Sequence, residues 1–229
     1  MSPVVSLALA TLAFVGTHLA MSHPLRAPLV ARLGERGFLG AYSLVSAVTL
    51  GWMVLAWRAG ADPSPLWVAP LWWWPFASAL MLAASILLAG SLIRNPAFPE
   101  AGVKGAIGPA RGVFAITRHP MNWSFILWAL VHISLSGSAR NLIVAGGILI
   151  LAVAGSIGQD AKKARLVGEP WRNWQARTSF VPFAALIDGR AAWRAAFPGG
   201  IALIGGTVFW ALVTSYHAPL VSPLGDLLN

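Results

Sequence analysis

The sequence predicts an all-α membrane protein, a polytopic bundle of six transmembrane helices, and three observations carry that prediction. Hydrophobic residues fill 57% of the 229 positions against 10% for charged ones, and mean hydropathy is +0.71. A soluble domain of this length needs a more polar surface. The stretches 1–25, 37–57, 63–93, 119–139, 141–159 and 195–225 contain no Asp, Glu, Lys or Arg. Their lengths suit helices of ~20 residues and not barrel strands of ~9–11. Third, the charges between the stretches fall unevenly, as the loops of a membrane protein do.

In chain order, the first span is expected over 3–22. Nothing before Arg26 is charged, so this stretch lacks the basic n-region of a cleavable signal and reads as a retained helix. The second span, 37–57, follows a loop over 22–36. Pro65, Pro70 and Pro75 shorten the third stretch, so its helix is expected over 75–93. The fourth span, 120–138, opens with Pro120 in its first turn and Thr117 placed to cap it. A fifth span over 141–159 leads into the one large polar piece, 160–194. Trp171 and Trp174, three apart, fit an amphipathic segment lying along the inner leaflet. The sixth span covers 197–215, and 1–229 reads as a single transmembrane domain. Gly146-Gly147, Gly155 with Gly158, Gly199-Gly200 and Gly205-Gly206 offer small faces for close packing.

Orientation follows from Lys and Arg. The loops 22–36, 94–118 and 160–194 hold 14 of the 16 basic residues, leaving Arg58 and Arg140 for the opposite side. The positive-inside rule then places those loops in the cytoplasm and both termini outside. Trp57, Trp67 and Trp72-Trp73-Trp74 gather at the outer ends of spans two and three, and Trp171, Trp174 and Trp193 in the long inner loop, as interfacial belts require.

Composition also excludes chemistry. The chain has no cysteine, hence no disulfide, thiolate metal site or thiol nucleophile. Its seven acids all fall outside the uncharged stretches, which argues against a carboxylate proton pump. The net charge of +9 sits in loops, where orientation and anionic lipid account for it without nucleic acid.

Function must therefore come from the few polar groups within the membrane. Among the five histidines, His18 and His132 lie inside spans, where an imidazole is either a functional group or a ring satisfied by a neighbouring carbonyl or hydroxyl. His23 and His217 sit at helix ends and read as interfacial or capping residues. The most patterned segments are Thr117-Arg118-His119-Pro120-Met121-Asn122-Trp123, then Gly168-Glu169-Pro170-Trp171, Trp174, and Arg177-Thr178-Ser179-Phe180-Val181-Pro182-Phe183.

With these motifs, His18, Leu33-Gly34-Glu35-Arg36, Tyr42-Ser43-Leu44-Val45-Ser46 and Leu127-Trp128-Ala129-Leu130-Val131-His132, the sequence resembles the NnrU family of bacterial inner-membrane proteins over nearly its whole length. A looser resemblance to 15-cis-zeta-carotene isomerase rests on the two histidines, Arg118-His119-Pro120 and the segment ending at Phe183. The resemblance implies a haem b with His18 and His132 as axial ligands, a pairing whose chemistry suits low-spin iron. Arg118 and Arg177 are then reasonable partners for its propionates. The two histidines must share one depth; otherwise His18 with His119 is the alternative pair.

The NnrU resemblance further implies a link to nitrogen-oxide metabolism and denitrification. Two alternatives stand beside it. One is a haem-dependent cis–trans isomerase of a carotenoid-like polyene. The other is an S-adenosylmethionine-dependent methyltransferase, because Arg118-His119-Pro120, Asp160 and the segment from Gly168 to Pro182 also look like the isoprenylcysteine carboxyl methyltransferase superfamily. The expected partners are the lipid bilayer and either an apolar polyene or a small gaseous ligand.

Overall fold

The computed structural model describes residues 1–60, 64–98 and 107–221, with side chains to 217. The described residues form helices α1 (Pro3–Ser22), α2 (Arg26–Arg58), α3 (Trp74–Ser91), α4 (Val113–Ile116), α5 (Pro120–Leu135), α6 (Ala139–Leu166), α7 (Glu169–Arg177), α8 (Ala184–Ile187) and α9 (Gly200–Val221). Among the described residues β-type pairing is confined to one isolated bridge between Val68 and Ser136. Five segments, Pro3–Ser22, Arg26–Arg58, Leu71–Ser91, Ala139–Leu166 and Gly200–His217, are long and apolar enough to cross a membrane. The all-helical membrane class is thus present.

Several boundaries differ from expectation, each for a local reason. The helix expected as the fourth span ends at Leu135 instead of 138, leaving an apolar helix of 16 residues, ~24 Å long against a ~30 Å hydrocarbon core, and it is not one of the five long enough to cross. It stops because the chain beyond it pairs sideways: Gly137 N–H donates to Trp67 and Ala69 N–H donates to Leu135 (both 2.9 Å). The expected 22–36 loop is instead helical from Arg26, with a break at Gly34, whose φ of 68° and ψ of 169° suit only glycine. Arg26 spans that break by donating to both carboxylate oxygens of Glu35 (3.1 and 3.0 Å). The fifth span runs on to Leu166, so Asp160, Lys162 and Lys163 belong to a continuous helix and not to the start of an interfacial segment. The expected cytoplasmic loop at 94–118 lies partly outside the described residues, including Glu100 and Lys104.

The chain divides into two compact units, Met1–Ala69 with Ala129–Lys162, and Pro70–Trp128 with Lys163–Asn229. In the first, Leu7 and Ala10 of α1 pack with Met53 and Ala56 of α2 and against Ile143 and Val144 of α6. Gly147 lies so close to α1 that a Cβ there would stand 2.3 Å from Thr11 Cγ2, and one at Gly158 would stand 2.4 Å from the His23 ring. Small residues thus allow the close helix approach expected inside a membrane.

In the second unit, α9 packs on α3, and a Cβ at Gly206 would stand 2.6 Å from Ile86 Cα. Its core is Leu87, Val113, Phe114, Trp171 and Trp174. Trp171 and Trp174 are 0% and 2% exposed, which corrects their assignment to an interfacial belt. They do share one face of α7, but that face covers an apolar core in which, among the described residues, neither indole N–H has a hydrogen-bond partner. Burial of large aromatic surface outweighs the unmade bonds. Trp193, at 62% exposed, keeps an open position.

Candidate functional site

In the first unit, the polar groups of α1 and α2 converge on His18. Its Nδ1 lies 2.9 Å from the Phe14 carbonyl; a carbonyl only accepts, so Nδ1 carries the proton. In a neutral ring this leaves the lone pair on Nε2. Ser46 Oγ stands 3.2 Å from that nitrogen and donates to it. Tyr42, one turn before Ser46, meets the imidazole edge-on at 5.2 Å and accepts from the Ser22 hydroxyl (3.2 Å). Phe14 closes the other side at 4.2 Å between ring centroids. A backbone-anchored Nδ1–H with an outward Nε2 is the arrangement by which metal-ligating histidines are held.

His132 belongs to the same unit but to a different level. Its backbone carbonyl accepts from Asn141 Nδ2 (2.6 Å), which fixes it beside the first turn of α6. His18 is fixed independently: α1 and α6 run in the same direction, with Leu7 and Ala10 near Ile143 and Val144, Thr11 at Gly147 and His23 at Gly158. Those pairs bring His18 to the level of Ala152–Ala154. Some ten or more residues of α6 therefore separate the two histidines, ~15 Å or more along its axis. Two imidazoles on one iron must face each other at a single depth, so the structure does not bring this pair together. Among the described residues no group of three His, Asp or Glu side chains gathers into a metal cluster either.

The second unit joins the two motifs that stand out in the sequence. Thr117, fully buried, donates through Oγ1 to the Phe180 carbonyl (2.7 Å) and accepts from His119 N–H (3.3 Å). Trp123 Nε1 donates to the same Phe180 carbonyl (2.8 Å). Arg118 N–H donates to Ser179 (2.9 Å), and its Nη1 donates to the Thr178 carbonyl (3.3 Å). Arg190 Nη1 donates to that same oxygen (2.7 Å). Beyond this lock, Phe183 N–H donates to Ile116 (2.8 Å), which holds Phe183 at a φ of 67°, a left-handed conformation costly for a bulky residue.

His119 is 3% exposed, with its ring 6.0 Å from Phe180. Arg177, in contrast, is exposed and its Nε donates to Asn173 within α7 (3.1 Å). His23 caps α1, its N–H donating to Leu19. His217 is exposed, its Nδ1 donating to Val213 (2.7 Å). Sequence reasoning passed over Ser46 and Tyr42 as partners of His18. The available signal is two hydroxyls at i and i+4, hence on one face of a helix, within an uncharged stretch. It also passed over Arg190 and Asn141, whose partners lie on carbonyls that no sequence pattern marks.

A family model described as "NnrU protein" matches residues 6–223. Two curated plant proteins, both named "15-cis-zeta-carotene isomerase, chloroplastic", from Arabidopsis thaliana and Zea mays, are each 33% identical to the chain over 79 residues. Those matches cover 34% of this chain and 22% of each relative. No solved structure matches the chain significantly.

Proposed function

The chain belongs to the NnrU family, and on that premise we propose that it is a haem b-binding protein of the bacterial inner membrane, linked to nitrogen-oxide metabolism, with His18 as an axial ligand. One observation carries the proposal. His18 has its Nδ1–H committed to the Phe14 carbonyl and its Nε2 turned toward the Ser46 hydroxyl, within stretches of α1 and α2 that carry no Asp, Glu, Lys or Arg. Ser46 satisfies that nitrogen with a single neutral hydrogen bond, which a metal can displace; the Phe14 carbonyl keeps the ring oriented in either state. His18 would hold a haem through Nε2, and the group would supply redox-active iron chemistry whose character its axial ligand and surroundings tune. The levels of His18 and His132 favour a second ligand other than His132. The three basic loops lie in the cytoplasm and both termini outside in this reading.

The test is the absorption spectrum of the full chain purified in detergent, oxidised and then dithionite-reduced, with a pyridine haemochrome assay on wild type, His18→Ala and His217→Ala. Haem in wild type and His217→Ala with loss in His18→Ala is the expected result. A folded, colourless wild type expressed with added haem precursor overturns it.

A second reading, cis–trans isomerisation of a polyene, is favoured by the two plant relatives, whose names state that activity. The expected outcome is conversion of a 15-cis polyene under reducing and not oxidising conditions. Equal conversion in both removes iron-centred chemistry from that reading.

A further inference from the structure

The second unit contains a cavity of about 750 Å³ at the end of α3, within the ~300–1,000 Å³ range of small-molecule sites. We propose that this cavity binds a membrane amphiphile, an apolar chain carrying a phosphate or carboxylate head, with Arg94 and Arg111 holding the head. Neither this cavity nor these arginines enter the haem reading.

The charge of the lining comes first. Arg94, just beyond α3, and Arg111, just before α4, both line the cavity, and among the described residues no acidic residue does. Arg26, Arg172 and Arg190 are held in ion pairs, whereas among the described residues neither Arg94 nor Arg111 has an acidic partner. A guanidinium is always charged and offers a planar fork to a carboxylate or phosphate. Two of them, on separate chain segments facing one space, specify an anion.

The remaining lining specifies what the anion is attached to. Ile93, Val113, Phe114 and Phe197 contribute an apolar wall. Inorganic phosphate gains nothing from such a wall, whereas an alkyl chain is removed from water by it. Position agrees: the cavity is lined by Gly90 at the end of α3 and by Pro198 immediately before α9, and both helices are apolar enough to cross a membrane. Ile93 and Phe197 are exposed, so the apolar side is open to a lipid chain while the arginines meet its head. Interfacial cations and apolar side chains at one membrane boundary match that division of a lipid-like molecule.

The experiment uses the full chain in neutral detergent, titrated with dodecyl phosphate, dodecanoate, dodecanol and inorganic phosphate and read by native mass spectrometry. Binding of both dodecyl anions is expected, with dodecanol and inorganic phosphate each weaker by on the order of tenfold or more. The Arg94→Gln/Arg111→Gln double variant is expected to lose that preference, while Arg58→Gln, a charge loss elsewhere, keeps it. Ile93→Trp narrows the apolar side without touching either charge and is expected to weaken dodecyl phosphate while circular dichroism shows unchanged helix; it carries the test if the double variant misfolds. Inorganic phosphate binding as well as dodecyl phosphate, no binding of any probe, or unchanged binding in the folded variants each overturn the proposal. Preference for only one of the two anions identifies the head group and supports it.

Discussion

Ser46 Oγ stands 3.2 Å from His18 Nε2, so the hydroxyl and the imidazole tie α2 to α1, beside the Ser22–Tyr42 bond between the same helices. Interhelical bonds of this kind contribute ~0.6 kcal/mol on average within membranes. Ser46→Ala is therefore expected to lower the stability of the haem-free protein by about that amount and to leave haem content unchanged, because it frees Nε2 without disturbing the Phe14 anchor on Nδ1. Thermal unfolding with a haemochrome assay checks both, and loss of haem in Ser46→Ala would make Ser46 part of the haem site.

The levels of the two membrane histidines yield a second expectation. His132→Ala retains haem where His18→Ala loses it, since the carbonyl fixed by Asn141 is a backbone atom and survives the substitution. Equal loss of haem in both variants, with helix content intact, would show that the pair ligates one iron after all.

The lock between the two motifs is open to direct measurement. Thr117→Val removes the donor to Phe180 and the acceptor for His119 N–H in a fully buried position, at a cost of about 1–3 kcal/mol. Trp123→Phe leaves the Phe180 carbonyl still bonded to Thr117 and should cost less. Melting temperatures in one detergent rank the two variants, and the reverse order would contradict the hydrogen-bond assignment.

Close helix packing predicts a contrast between adjacent glycines. A Cβ at Gly206 meets the Ile86 backbone at 2.6 Å, whereas one at Gly205 meets Ala89 Cβ at an ordinary 3.7 Å. Gly206→Ala is expected to cost about 1–3 kcal/mol through overpacking, and Gly205→Ala to be tolerated. Similar melting temperatures for the two would place α9 differently on α3.

Orientation can be tested cleanly because the chain has no cysteine. A single cysteine at Arg190 should react with a membrane-impermeant maleimide only after the inner face is opened, and one at Ser64 should react in intact spheroplasts. The opposite pattern would invert the topology.

The sequence by itself determined the membrane class and the approximate helices, because burial of uncharged stretches in lipid depends on composition over ~20 residues and not on any particular neighbour. It also marked Arg118-His119-Pro120 and the segment ending at Phe183 as belonging together in one pattern. What it left undecided depends on distances between helices. That Thr117 bonds Phe180, that Ser46 reaches His18, and that Trp171 and Trp174 lie in a protein core all follow from helix register and contact, which local periodicity does not encode. The depth of His132 is the clearest case. Its position within a span was legible, but its level relative to His18 was decided by where α5 stops, by Asn141 holding its carbonyl and by the glycine contacts that set α1 against α6.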